Sequence, residues 1–386
     1  MNAAQRPPPW RDVRVRKWAF QMTVLIVVLI AVLYVWSNYQ TNSQASRVPT
    51  GFDFLDQPAN FPIAGSDFRT TQPVKDALGV GVANTLRVSI AGIVLATLIG
   101  TLVGIARLSK NWLVSKAAGV YVETLRNTPL LILVIFAYLA VALRLPPVSE
   151  AATPLPGFVA SVRGIGVPWY RIDGSGWPVA GVLLAALLAA IAVRRWRLHI
   201  NERSGARAHT AWWMAGTIVA VAVVGQLALG TPISGSLPRV DGRMVIGGAV
   251  MSPEMFALLT ALTLYTASHI AEIVRGSIQA VPKGQGEAAS VLALSNGQRM
   301  WYVILPQAMR IAVPPLANQY LNLTKNSSLG VAVSYMELTK VSRTAIANAS
   351  PAIPMLVVVL SMYLVLSIAI SLLTNLLNRR LKVVER

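Results

Sequence analysis

The chain has 386 residues, of which 54% are hydrophobic and only 13% charged, with a mean hydropathy of +0.56; an ordinary soluble domain is excluded, because water would meet more apolar surface than such a fold can hide. Lys and Arg number 34 against 15 Asp and Glu, a net charge of +19, yet these cations stand in short clusters beside apolar runs, which is the pattern of cytoplasmic loops and not of a nucleic-acid surface. Cysteine is absent and the three histidines, His199, His209 and His269, are scattered, so disulfides, thiol chemistry and a metal site are not expected.

A hydrocarbon core of roughly 30 Å takes about 20 apolar residues in helix. Laid along the chain, that measure predicts about eight spans, at residues 18–36, 83–106, 119–142, 177–193, 211–229, 255–274, 311–333 and 354–377. The first follows Arg6, Arg11, Arg14, Arg16 and Lys17 and could be a signal peptide cleaved at Ser43-Gln44-Ala45. Its apolar run is too long for that and ends in the interfacial rings of Tyr34 and Trp36, so it reads as an uncleaved anchor.

Orientation follows from the basic loops. With the basic N-terminus cytoplasmic, the count of spans puts Arg107, Lys110 and Lys116 inside, then Arg194, Arg195, Arg197, Arg203 and Arg207. Arg275, Lys283, Arg299 and Arg310 follow on the same side, and so do Arg379, Arg380 and Lys382, so both termini are expected in the cytoplasm. Residues 37–82 are balanced, with Asp53, Asp56, Asp67 and Asp76 against Arg47, Arg69 and Lys75, as suits an external loop.

In the second span, Gly92, Ala96, Gly100 and Gly104 recur every fourth residue and line one helix face with small side chains. Close backbone approach is a main source of helix association in lipid, so this face is a packing seam, either within the chain or with another subunit. Span 177–193 is short but flanked by the anchors Trp177 and Arg194-Arg195-Trp196-Arg197. Removing it together with 211–229 leaves the topology downstream unchanged, so residues 143–252 read as an insertion: an external loop, a helical hairpin with a basic turn, and a second external loop. No internal repeat of the inverted-repeat transporter kind is visible.

Between the sixth and seventh spans, residues 276–310 form a polar, basic loop. Pro282 can open a short helix of about three turns, with Glu287 in its early part near exposed N–H dipoles and Asn296-Gly297 as a left-handed stop. Ala288, Ala289 and Ala293 keep one side low enough for another protein to approach.

Here the chain resembles the permease subunits of ABC importers, whose docking loop reads Glu-Ala-Ala, three residues, Gly, nine residues, Ile, one residue, Leu-Pro. Glu287, Ala288, Ala289, Leu305 and Pro306 match at that spacing; Ala293 stands for Gly and Val303 for Ile. Ala at the Gly position predicts continuous helix where the family bends. Residues 126–131 (Arg-Asn-Thr-Pro-Leu-Leu), 271–276 (Ala-Glu-Ile-Val-Arg-Gly) and 325–329 (Lys-Asn-Ser-Ser-Leu) resemble stretches of polar amino acid importers. The likeness covers about 80–142 and 253–378. Length, insertion and basic anchor are similar to the larger permease of general L-amino acid importers of the Aap/Bzt type.

The resemblance implies an all-α integral membrane protein with the type I ABC importer transmembrane fold, in the bacterial inner membrane. It divides the chain into an anchor region (1–80), a first core part (81–142), the insertion (143–252) and a second core part (253–386). It further implies a second permease subunit, two copies of a cytoplasmic ATPase that binds ATP and Mg, and a periplasmic amino-acid-binding protein. No Gly-x-x-x-x-Gly-Lys-Ser/Thr loop occurs here, so no cofactor is expected in this chain and ATP is handled elsewhere.

Polar side chains inside spans are costly and mark pathways or helix contacts. For an amino acid zwitterion, cations and amides would hold the carboxylate. The candidates are Asn84, Arg87, Thr128, His269, Asn318, Asn322, Lys325 and Ser328, while Glu272 and Arg275 are expected as a structural or coupling ion pair. The alternative function is a proton-coupled secondary transporter with His269 and Glu272 as its relay. A membrane enzyme would need a metal cluster, an activated nucleophile or a cofactor motif, and the spans offer none.

Overall fold

The computed structural model describes residues 13–46, 51–172, 177–204, 210–230 and 233–381. Arg6, Arg11, Arg47, Arg207, His209 and Lys382 of the charge and histidine readings lie outside them. The chain divides into two compact units, Met1–Val80 with Val341–Val365, and Gly81–Lys340 with Leu366–Arg386.

Helix α1, Val13–Ser46, is hydrophobic on every side and continues through residues 43–45; none of the described residues in its apolar stretch Val15–Asn42 is buried, as suits a helix solvated by lipid. In the same unit, Phe54, Ala59, Phe61 and Ile63 fold inward from the loop that precedes α2, Val74–Ala106.

In the larger unit, Asn111 caps α3, Trp112–Arg126, by accepting from the N–H groups of Leu113 and Val114 at 3.0 and 3.3 Å. Helix α4, Leu130–Phe136, follows at an angle of 101° to it. Pro129 has no N–H to give and disfavours helix at Thr128, so the chain turns at Asn127-Thr128-Pro129. The predicted span 119–142 is met as this bent pair, broken at Asn127-Thr128-Pro129.

The insertion holds a hairpin of α5, Trp177–Ser204, and α6, Thr210–Ala228. Gly225 lets the two backbones close, because a side chain there would overlap Val182, and the Arg197 guanidinium sits 4.7 Å over the Trp213 ring. Where the sequence predicts loops, seven short strands form instead: β1 Val159–Ser161, β2 Gly164–Val167, β3 Trp169–Ile172, β4 Ile233–Ser236, β5 Arg239–Asp241, β6 Met244–Ile246 and β7 Ala249–Met251. They pair antiparallel as β1-β2-β7, β3-β4 and β5-β6. Pairs β2-β7 and β3-β4 reach across the whole hairpin, and strands of three or four residues are too short for an alternating pattern to show. The all-α class of the fold holds, with these short strands confined to the segments on either side of the hairpin.

Ser252 and Pro253 start α7, Pro253–Gln279, with the Ser252 hydroxyl accepting from Met255 N–H at 3.2 Å. Next come α8, Lys283–Val291, and α9, Asn296–Arg299, then α10, Leu305–Asn326, α11, Leu338–Ala347, and α12, Ala352–Leu381. The predicted span 311–333 is replaced by α10, with Pro314 and Pro315 inside it, followed by a 3-10 turn at Ser327–Val333. Among the described residues, α1, α2, α5, α7 and α12 are long and apolar enough to cross a bilayer, and the bent α3–α4 pair makes up to 6. Helix α6 falls short, with an apolar stretch of only Trp212–Ala228.

The small-residue stripe of α2 packs inside the chain. A Cβ at Gly100 would lie 2.7 Å from Ile270 Cβ and 2.8 Å from the Ala267 carbonyl, and one at Gly104 would lie 2.7 Å from the Ala271 carbonyl, all on α7. At Gly92 the neighbour is Leu323 of α10, at 3.3 Å. Around this seam Val88, Leu130, Val134, Leu258, Leu262 and Ile270 form the core. Hydroxyls stitch it laterally: Tyr121 donates to the Leu264 carbonyl at 2.8 Å and Thr97 donates to Tyr320 at 3.1 Å.

Candidate functional site: an exposed docking loop

Helix α8 begins after Pro282, which is its N-cap and not its first turn. Glu287 therefore sits in the second turn, exposed, beyond reach of most of the helix dipole. Ala288 is exposed beside it, whereas Ala289 is buried and anchors the helix to its own chain.

The predicted continuation past Ala293 is overturned. The Leu294 N–H donates to the Ala289 carbonyl at 3.1 Å and the Ala293 N–H to the Ser290 carbonyl at 3.0 Å, the paired bonds of a Schellman stop. Ala293 supplies the left-handed residue with φ +56. The bend that Gly provides in the resembling family persists here at an alanine. Asn296-Gly297 opens a helix and does not end one, because Ser295 and Gln298 form a reciprocal capping box at the start of α9.

An alanine in this conformation costs roughly 1 kcal/mol relative to glycine. Ala293→Gly is therefore expected to stabilise the end of α8, slowing amide hydrogen exchange in residues 284–291 by roughly fivefold. Unchanged exchange would show that the left-handed residue carries no strain.

The rest of the loop is held onto α8. Arg299 donates to the Ser290 hydroxyl at 2.9 Å and to the Asn296 side chain at 2.8 Å, and Gln307 donates to Gln285 at 3.2 Å. A π turn at Met300–Ile304, containing Val303, leads into Leu305 and Pro306 at the start of α10. Val291, Leu292, Trp301 and Tyr302 are left largely exposed, with Val291 at 87%. Apolar side chains and one carboxylate thus share an exposed surface that no other described residue covers.

Farther along the core, Glu272 and Arg275 form the expected pair, and Arg107 of the α2 end joins it from the opposite side. Arg275 also donates to Gln279 at 2.6 Å. Sequence reading missed Arg107 as a member; its place just after an apolar span, opposite a lone intramembrane carboxylate, was the available signal.

The candidate solute contacts have different surroundings. Asn84 is buried and occupied: its amide donates to the Met336 carbonyl at 2.9 Å, its side-chain oxygen accepts from Arg87 at 3.0 Å, and its backbone carbonyl accepts from Tyr335 at 3.2 Å. Burial pushes the Tyr335 phenol up to about 12, so it remains a donor. Thr128 donates to the Thr124 carbonyl and Ser328 to the Lys325 carbonyl, both at 2.8 Å. The His269 ring packs edge-on against Tyr265 with centroids 4.7 Å apart, and its Nε2 is buried without a hydrogen bond.

Asn318, Asn322 and Lys325 share an exposed face of α10 and take no side-chain partner among the described residues. Asn318 lines a cleft of about 210 Å³ with Pro314, Ser371 and Asn375. A cavity of about 300 Å³ beside α2, α7 and α10 is lined by Ile105, Ile278, Ala308 and Leu316, and so offers little to a zwitterion. Glu337 escaped the sequence reading altogether. Fully buried, it caps α11 by accepting from the N–H groups of Thr339 at 2.9 Å and Lys340 at 2.8 Å; an acidic residue just before a periodic apolar run was its signal.

A family model described as "Binding-protein-dependent transport system inner membrane component" matches residues 213–383. The "General L-amino acid transport system permease protein AapQ" of Rhizobium johnstonii is 38% identical over 97% of this chain and 94% of its own length. The "Glutamate/glutamine/aspartate/asparagine transport system permease protein BztB" of Rhodobacter capsulatus is 37% identical over 97% of this chain and 96% of its own. Nothing in these similarities supports proton coupling. With relatives of this identity matching from end to end, insertion included, the chain belongs to the binding-protein-dependent inner membrane components, the permease family of ABC importers.

Proposed function

We propose that this chain is the larger membrane subunit of an ATP-driven importer of L-amino acids, paired with a second permease and served by a periplasmic binding protein and two copies of a cytoplasmic ATPase. What carries this reading is the end-to-end similarity to two amino acid permeases, insertion included. The exposed surface of α8, with Glu287 and Ala288 outward, is the seat of the ATPase, which holds ATP and Mg. Both termini and that loop lie on the cytoplasmic side.

The solute passes along the α10 face, where Lys325 offers a cation to the carboxylate and Asn318 and Asn322 offer amides. Glu272 is not available to the solute ammonium, being held by Arg107 and Arg275. The assembled complex in liposomes is expected to take up radiolabelled amino acids only with ATP and binding protein present. Lys325→Ala should lower uptake far more than assembly. Uptake driven by a proton gradient without ATP would overturn the proposal; a parallel fall in assembly and uptake would make Lys325 structural.

A further inference from the structure

We propose that the cleft where α2 ends and α3 begins holds the headgroup of an anionic phospholipid from the surrounding bilayer. The cleft measures about 480 Å³, and its lining includes Arg107, Lys110, Trp112, Lys116, Glu123 and Arg275. Arg107 and Arg275 are committed to Glu272. Lys110 and Lys116 are exposed and have no side-chain partner among the described residues. Set against Glu123 and Glu272, the four cations leave two positive charges uncompensated around one cleft.

The rim selects the source of the anion. Trp112, Leu113 and Val120 are exposed, the first at 74%. A soluble phosphate would gain nothing from them, whereas acyl chains below a headgroup would cover them. The cleft also stands at the end of α2 and near the end of α7, both long and apolar enough to span, which is the depth of phosphate groups and of interfacial Trp. Basic pockets between helix ends on the cytoplasmic side attract anionic headgroups. The site stands whatever solute the chain carries.

The test uses the purified complex in phosphatidylcholine nanodiscs containing increasing phosphatidylglycerol brominated in its acyl chains. Quenching at the cleft is the difference between the native chain and Trp112→Phe. Half-maximal quenching is expected at a lower mole fraction of brominated phosphatidylglycerol than of brominated phosphatidylcholine. In the double variant Lys110→Gln, Lys116→Gln, the anionic lipid should lose roughly tenfold or more of that advantage.

Inorganic phosphate at millimolar concentration should leave the quenching unchanged. Equal quenching by the two lipids, an advantage retained in the double variant, or relief by inorganic phosphate would each overturn the assignment. Loss of co-purifying ATPase from the double variant with lipid preference intact would give these lysines to the ATPase and overturn it as well.

Discussion

Glu287→Arg is expected to release the ATPase, or to uncouple its hydrolysis from uptake, while the chain itself inserts and folds normally. Glu287 is exposed in the second turn of α8, and its side chain has no hydrogen bond or ion pair among the described residues. For its own chain it contributes a few tenths of a kcal/mol at most through the helix dipole. Across an interface the balance reverses, because truncating or inverting one member of a partly buried charged contact typically costs about 2 to 5 kcal/mol. The surrounding surface supports such a contact: Ala288 stays low, while Val291, Leu292, Trp301 and Tyr302 offer apolar area that water would otherwise cover. Co-purification of the ATPase and solute-stimulated hydrolysis measure the outcome, and native values of both would remove α8 as the docking element.

Gly100→Leu is expected to prevent the native fold. Even the first added carbon would sit 2.8 Å from the Ala267 carbonyl and 2.7 Å from Ile270 Cβ. A backbone carbonyl in a neighbouring helix cannot rotate away as a side chain can, so α2 and α7 must separate. Overpacking of a core costs about 1–3 kcal/mol and sometimes more, and in lipid no hydrophobic gain offsets the loss of close packing. Gly79 on the same helix provides the control, since nothing lies within 4 Å of a Cβ there. Gly79→Ala should be neutral or stabilising by about 0.5–1 kcal/mol. Monodisperse yield and thermal unfolding of the solubilised complex read both variants; a native-like Gly100→Leu would mean that this seam is looser than its geometry.

The membrane character, the positions of most spans and the exposed loop at residues 276–310 were legible in the chain itself. Each rests on quantities that add locally along a sequence: apolar transfer, charge beside an apolar run, motif spacing. Even the turn between α3 and α4 has a local cause in Pro129, hidden only by the apolar runs on both sides of it. The stop at Ala293 lay beyond such reasoning. Alanine is a good helix former, and the left-handed turn there is maintained by the Arg299 and Gln307 ties that fold the following segment back on α8.

Tertiary structure alone decided which partner each feature meets. The glycine stripe of α2 could have faced another subunit, and only packing showed it against α7 and α10. Asn84 and Arg87 carry the same polar groups whether they meet a solute or the Tyr335–Met336 turn, and the fold gave Asn84 to the turn. Glu272 reads as half of a local pair until α2 delivers Arg107 from 165 residues away. Strands β3 and β4 exist because two short segments on either side of a long hairpin find each other. Composition and periodicity determined where this chain is apolar, basic or small, since those are properties of each residue. Choice of partner depends on which distant backbone atoms arrive within a few ångströms, and no residue carries that information by itself.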